Sequence, residues 1–499
     1  MLEIKDLTII VNDRYLVKNL SFTLNKFDKL AIIGEEGNGK STLLKCILGI
    51  CDYATITGTI ITKENKIGYL EQSISESNLH KKVYDYLFTD DNDYYNKINY
   101  LYKHLNTIKL EDTILDQTLS TLSGGEKVKI NILKLLLDEY DIYFLDEPTN
   151  DLDIETLEWL ESFINNCQKT IIYISHDETL LSNTANAILH LEQTKKKKDC
   201  RHTYLKTTYD EYVTDRLRSI EKQFQVSKNE KREYDKQQAK LKQIMNKVEH
   251  QQNTISRSDP HGVRLLKKKM HSIKSQERKL EEKEITETPD IEESINFFFN
   301  DVYIPKNKII LNLDIPELKI KDKILSKNIK LDIIGNTHLC IIGSNGVGKS
   351  TLIKEIYKNL KDRTDIKVGY MPQNYEDILG KYEYVLDFIS PSKSDYDITL
   401  ARTYLGNMKF THEETTGKIK DLSNGTKAKL ILAYLVLNNF NVLILDEPTR
   451  NVSPLSNPVI RNVLKNFKGT IISISHDRKY ILEVVDNLYV LTENGLSKI

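Results

Sequence analysis

One internal repeat constrains the fold of this 499-residue chain more than any other feature. Gly34-Glu35-Glu36-Gly37-Asn38-Gly39-Lys40-Ser41-Thr42 returns as Gly343-Ser344-Asn345-Gly346-Val347-Gly348-Lys349-Ser350-Thr351. Leu122-Ser123-Gly124-Gly125-Glu126 returns as Leu422-Ser423-Asn424-Gly425-Thr426. Phe144-Leu145-Asp146-Glu147-Pro148-Thr149 returns as Ile444-Leu445-Asp446-Glu447-Pro448-Thr449, and Ser175-His176-Asp177 as Ser475-His476-Asp477. The last three pairs share an offset of 300 residues, so two copies of one domain lie in tandem. Residues 1–194 and 293–499 hold the copies. Between them, 195–292 is rich in Lys, Glu and Gln, with proline only at 260 and 289, and reads as long helices.

In each copy an apolar strand, Leu30-Ala31-Ile32-Ile33 or Leu339-Cys340-Ile341-Ile342, runs into the glycine-rich turn and then a helical pattern. That context marks a phosphate-binding loop. The glycines let backbone N–H groups point at phosphates, the helix N-terminus adds its positive end, and Lys40 or Lys349 reaches the β and γ oxygens. Ser41 and Ser350 are placed to ligate Mg²⁺. Asp146 and Asp446 end apolar strands, where a carboxylate can hold Mg²⁺ or its water. Glu147 and Glu447 follow where they can polarise an attacking water. ATP with Mg²⁺ is the implied ligand, and ATP hydrolysis the implied reaction.

Over both repeats the chain resembles the ATP-binding cassette superfamily. The expected fold is α/β, with two ATP-binding cassette domains in tandem joined by a long α-helical hairpin linker. In that family Leu122 to Glu126 looks like the signature motif, which adds Ser123, Gly124, Gly125 and Glu126 to the ATP-binding set, and Ser423, Asn424, Gly425 and Thr426 from the second copy. Gln72 and Gln373 resemble the Q-loop, with roles toward nucleotide and metal, and His176 and His476 resemble the switch histidine of the catalytic set. The family's halves pair head to tail. This implies that ATP on one loop is capped by the other signature within a single monomer, so that neither half hydrolyses alone.

The two sites are expected to be unequal. Tyr15 lies 25 residues before Lys40, where the family stacks an aromatic ring on adenine, but the equivalent place before Lys349 is Ile324. Thr149-Asn150-Asp151-Leu152-Asp153 matches the family's D-loop in all but one position, whereas the second copy reads Thr449-Arg450-Asn451-Val452-Ser453-Pro454.

The linker carries the charge asymmetry. Residues 195–284 hold 25 Lys plus Arg against 14 Asp plus Glu, although the whole chain has a net charge of -1. Ser256 to Gly262 reads as a turn between two helices, with Asp259-Pro260 stopping one, Gly262 freeing the other, and a second helix from about Val263 to Glu284. The tip is placed at about 254–262. Charge gathered toward the far end of a basic prong points to phosphate, and Lys240, Lys242, Lys247, Arg257, Arg264, Lys267, Lys268 and Lys269 are the RNA-binding candidates. Met245, Val248, Ile255, Val263, Leu266 and Met270 read as the seam between the helices.

Two cassettes with a charged helical hairpin and no membrane domain resemble the ABC-F family of ribosome-associated ATPases. In that family the hairpin enters the tRNA exit site and its tip approaches the peptidyl transferase centre. Thr449-Arg450-Asn451 followed by Ser453-Pro454, with the tip run and Leu265 to Met270, resembles the antibiotic-resistance branch of the Vga, Lsa and Cpl type. Gln72 to Ser123 spans 51 positions and Gln373 to Ser423 spans 50, leaving no room for the arm that housekeeping members insert. The resemblance implies a ribosome partner (50S subunit, 23S rRNA, P-site tRNA) and protection from lincosamide, streptogramin A or pleuromutilin drugs. A housekeeping factor that relieves stalled ribosomes is the alternative.

No run approaches the eighteen or so apolar residues of a membrane span. Met1 to Asp6 is acidic where a signal peptide would be basic and then apolar. The five cysteines make no CxxC pair, which sets aside a zinc-hook coiled coil between the halves. A cytoplasmic protein with no membrane contact is expected, with no large extension after the second copy.

Overall fold

The computed structural model describes every residue except 1, 63–65, 71–73, 89–93, 109, 139, 151, 195–198, 255–259, 283–298, 300–302, 321–322 and 391–393. Gln72, Asp151, Ile255, Arg257 and most of the expected tip therefore lie outside the described residues. By internal contacts the chain divides into two bodies, Met1–Tyr209 with Glu292–Ile499, and Asp210–Ile291.

The first body carries the repeat as architecture. One six-stranded sheet runs Ile67–Leu70, Ile142–Asp146, Thr170–Ile174, Lys29–Ile33, Ala187–Thr194, Asp199–Leu205. The other runs Val368–Met371, Val442–Asp446, Thr470–Ile474, His338–Ile342, Asn487–Thr492, Gly495–Lys498, the same order. In each sheet five strands are parallel and the last is antiparallel. The strands Ile142–Asp146, Thr170–Ile174, Val442–Asp446 and Thr470–Ile474 are buried along their whole length. That is why they read as unbroken apolar runs: helices cover both faces of a parallel sheet.

Asp199–Leu205 corrects one boundary. The linker was expected to begin at 195, but this strand pairs with Ala187–Thr194 and completes the first sheet. A second difference lies beside it. The first copy adds a three-stranded antiparallel sheet, Arg14–Leu24, Leu2–Val11 and Thr55–Ile61, where the second has two strands, Ile309–Ile320 and Lys323–Ile334. The strand Thr55–Ile61 falls between the phosphate loop and Gln72, the stretch over which the offset between copies drops from 309 at the lysines to 301 at the glutamines.

The second body is helical. Tyr209–Thr254 and Pro260–Glu281 are its described helices. Gly262 lies inside the second helix and not in the turn. Pro260 opens that helix, since its missing N–H costs nothing in the first turn and its fixed φ suits the start. Val248, Ile273 and Leu280 are buried, with Met245, Val263, Leu266 and Met270 half-buried, the three-and-four spacing that a two-helix seam requires. Lys240, Lys242, Lys247, Arg264, Lys267, Lys268 and Lys269 are all exposed.

Candidate functional site

Each phosphate loop is pinned against a neighbouring strand. A Cβ on Gly34 (φ +143°) would lie 2.2 Å from the Leu191 carbonyl oxygen, and one on Gly343 (φ +154°) 2.4 Å from that of Leu491, so only glycine fits. Lys40 Nζ donates to the carbonyls of Gly34 (2.8 Å) and Glu35 (3.0 Å), and Lys349 Nζ to those of Gly343 (2.7 Å) and Ser344 (3.0 Å). The helices Lys40–Leu48 and Lys349–Leu360 follow directly, with left-handed Gly39 and Gly348 before them. Asn38 Nδ2 donates to the Leu191 carbonyl, whereas Val347 points into the hydrophobic core, so only its backbone can meet a phosphate.

The strand-end acids converge on these loops. Ser41 Oγ donates to Asp146 Oδ1 at 2.9 Å, and Tyr69 donates its hydroxyl to Oδ2 at 3.3 Å. Asp446 Oδ2 is buried with no hydrogen-bond partner. Such an oxygen beside a serine hydroxyl fits Mg²⁺, which keeps waters and phosphates as its other ligands. Among the described residues no group of three or more His, Cys, Asp or Glu makes an all-protein metal cage.

Glu147 (φ +50°) and Glu447 (φ +57°) both occupy left-handed backbone, a strained conformation for glutamate and one that concentrates at functional positions. His176 Nε2 lies 3.6 Å from Glu147 and His476 Nε2 lies 3.8 Å from Glu447. The surroundings then diverge. Burial raises the proton affinity of Glu147, but His176, Lys40 and the Asn150 amide outweigh it and hold the carboxyl down at about 2. Burial, then Asp446, pushes Glu447 up to about 8. Its partner His476 is held down at about 4 by burial and Lys349, so a neutral ring faces it.

The loops and signature helices meet head to tail across the two copies. The helix Gly124–Leu137 starts at Ser123, whose hydroxyl accepts from the Glu126 N–H while Glu126 Oε2 accepts from the Ser123 N–H at 2.8 Å. This capping box turns the Glu126 carboxylate onto its own helix. Ser123, Gly124 and Gly125 line a cavity of about 520 Å³ opposite Asn345, Gly346, Gly348, Lys349, Ser350 and Thr351. Gln373, Asp446, Glu447 and His476 share that cavity, as does Asn150 from the first D-loop. Its volume suits a small-molecule ligand. Asp153 favours the protonated forms of Lys349 and His476, although burial outweighs it at both, while Ser453 is uncharged at the matching place.

At the other composite site two acids of the first phosphate loop cross to the second copy. Ser423 caps the helix Asn424–Leu437 by accepting from the Thr426 N–H, and Glu36 accepts from the Gly425 N–H. Glu35, buried, takes Lys429 Nζ at 2.5 Å and the Ser456 hydroxyl at 2.6 Å. Burial pushes the Glu35 carboxyl up, but Lys429, Ser456 and Lys40 more than offset this and hold it below the usual carboxylate range. Tyr15 and Ile324 are both exposed on antiparallel strands.

Sequence reasoning missed the contacts that seal the copies together. Arg461 grips Glu178 with both terminal nitrogens, Lys479 Nζ lies 3.3 Å from the same carboxylate, and Arg478 pairs with Glu161. Arg461 and Glu178 are 283 positions apart, and although Glu178 directly follows the Ser175-His176-Asp177 run, no local signal names its partner.

The fold and its paired loops define a tandem phosphate-loop nucleotide-binding protein. The chain belongs to the ABC transporter family, whose match spans residues 17–150 and 326–450. It is 29% identical over 514 residues to the ATP-binding protein Uup of Buchnera aphidicola subsp. Acyrthosiphon pisum (strain APS), covering 99% of this chain and 81% of that protein. It is 28% identical over 538 residues to the putative ATP-binding protein YdiF of Bacillus subtilis (strain 168), covering 97% and 78%. A solved structure of the archaeal ribosome recycling factor aABCE1, complexed with the ribosomal stalk protein aP1, shares the fold. Its TM-score is 0.63 at 17% identity, covering 99% of this chain and 90% of that one. Among the described residues no helix is long and apolar enough to cross a membrane.

Proposed function

We propose that this chain is an ABC-F ATPase of the cytoplasm that binds the ribosome as a monomer. It protects the 50S subunit from lincosamide, streptogramin A and pleuromutilin drugs by inserting its hairpin linker through the tRNA exit site, against 23S rRNA and P-site tRNA. The observation that supports this best is the head-to-tail cavity of Lys349 and Ser123 in a chain whose seven described RNA-binding candidates are all exposed on a separate helical body. A cavity lined by both copies makes the chemistry conditional on closure, and exposed lysines on paired helices suit RNA phosphates.

In this reading Lys349 and the backbone N–H groups of Gly346 and Gly348 hold the phosphates of ATP. Ser350 and Asp446 would hold Mg²⁺, which supplies charge neutralisation when bound. Glu447 orients a water on the γ-phosphorus and in its ionised form, which burial and Asp446 disfavour, accepts its proton as the water oxygen bonds and the bridging oxygen leaves, giving ADP and phosphate. His476 borders the same water position. The Ser123 hydroxyl and the Gly125 N–H contribute donors to the γ-phosphate from the opposite copy.

The test is co-sedimentation of a Glu147→Gln, Glu447→Gln double variant with ribosomes, followed by drug-susceptibility measurement on a sensitive host expressing the wild-type chain. ATP-dependent, ADP-insensitive pelleting and a raised inhibitory concentration are expected. Pelleting without protection refutes the resistance role and leaves the factor that relieves stalled ribosomes. No ATP-dependent pelleting refutes both.

A further inference from the structure

The two phosphate loops differ most at the pair of positions after their first glycine. The first loop has Glu35 and Glu36 where the second has Ser344 and Asn345. Acid side chains are unexpected in a loop meant for a triphosphate, and neither turns back on its own loop. Glu36 crosses to the second signature helix and accepts the Gly425 N–H. Gly425 is the second residue of the 14-residue helix Asn424–Leu437, so this N–H is one of the donors that no helical carbonyl satisfies. In the other composite site the equivalent Gly125 lines the cavity together with Asn345. Glu35 anchors the arrangement through Lys429 and Ser456, both from the second copy. The space at Gly425 is also closed to anything larger: a Cβ there would lie 2.6 Å from the Asn451 carbonyl and 2.8 Å from Glu36 Oε2.

On the reading of both loops as nucleotide sites, we propose that Glu36 is a built-in surrogate for the γ-phosphate. The site of Lys40 and Ser423 then takes a nucleoside diphosphate, while the site of Lys349 and Ser123 takes the triphosphate. A carboxylate seated on the helix N-terminus supplies the negative charge that the positive helix end and its free donors attract. A γ-phosphate arriving at the same donor meets a like charge and an occupied hydrogen bond. The α and β phosphates meet neither, because they lie on the first copy's own loop backbone. One jaw of the clamp is thus closed by protein carboxylates, and ATP governs the other.

Full-length Lys349→Ala and Lys40→Ala chains isolate the two sites, and binding of mant-ADP and of a mant-labelled non-hydrolysable ATP analogue with Mg²⁺ reads their preferences. The Lys349→Ala chain is expected to bind the diphosphate at least as tightly as the triphosphate, and the Lys40→Ala chain to prefer the triphosphate by tenfold or more. Adding Glu36→Asn, or the near-isosteric Glu36→Gln, to Lys349→Ala shifts the ratio toward triphosphate by at least tenfold. Because a ratio within one protein is read, loss of folded material does not imitate the shift. A ratio unchanged by both Glu36 substitutions overturns the surrogate alone. No nucleotide binding by the Lys349→Ala chain overturns the surrogate together with the nucleotide reading of that site.

Discussion

Arg461→Met removes a guanidinium that is 2% exposed and leaves the Glu178 carboxylate, 6% exposed, without its bidentate partner. Removing one member of a buried ion pair costs about 3–5 kcal/mol, because the surviving charge stays desolvated. Lys479, 3.3 Å from Glu178, remains and offsets part of this. Glu483, the third partner of Arg461, is nearly half exposed and returns to water at little cost. The expected loss is therefore about 2–3 kcal/mol, at or below the lower end of that range. For cassettes of this size each kcal/mol moves a transition by roughly 2–4 °C, so the first calorimetric transition of the full chain should fall by about 4–12 °C. The Glu178→Met, Arg461→Met pair replaces both charges with apolar groups and should recover most of the loss. A single variant within about 0.5 kcal/mol of wild type refutes the claim that this pair is buried and essential to the seal. So does a double variant as costly as the sum of its singles.

Glu447→Gln should reduce phosphate release more than Glu147→Gln, since Glu447 lines the cavity and Glu147 stands beside the loop whose acids bond to the second copy; equal losses count against unequal sites. Ser123→Ala removes a capping-box hydroxyl and should cost about 1 kcal/mol in denaturant unfolding, with Glu126→Ala close behind; a neutral outcome for both means that the helix start is held by other contacts. Lys267→Glu, Lys268→Glu and Lys269→Glu together should weaken ribosome binding and flatten its salt dependence, by about 0.7–0.9 in the log–log slope for each phosphate left without its lysine. Weaker binding with an unchanged slope would point to a fold defect in the hairpin.

The repeat, the apolar strands and the loop positions are legible because each rests on local chemistry that short runs express. A buried parallel strand needs five apolar residues, and a phosphate loop needs glycine where a carbonyl lies 2.2 Å from the would-be Cβ. The antiparallel edge Asp199–Leu205 was read as linker because it sits beside the charge run 195–198 and only partly alternates. Gly262 was read as a turn residue because glycine's preference is weaker evidence than proline's fit to a first helical turn.

The acids of the first loop mark a different kind of limit. Spacing places Glu35 and Glu36 in the phosphate loop, as an expectation for their backbone. It says nothing of where their side chains go, because a loop that binds through N–H groups leaves its side chains free for other partners. Those partners, Gly425 at 389 positions and Lys429 at 394, are set by how the second copy docks on the first. A residue can thus belong to a nucleotide loop by sequence and to an interface by structure, and in the first copy the interface takes the donor that the nucleotide would use.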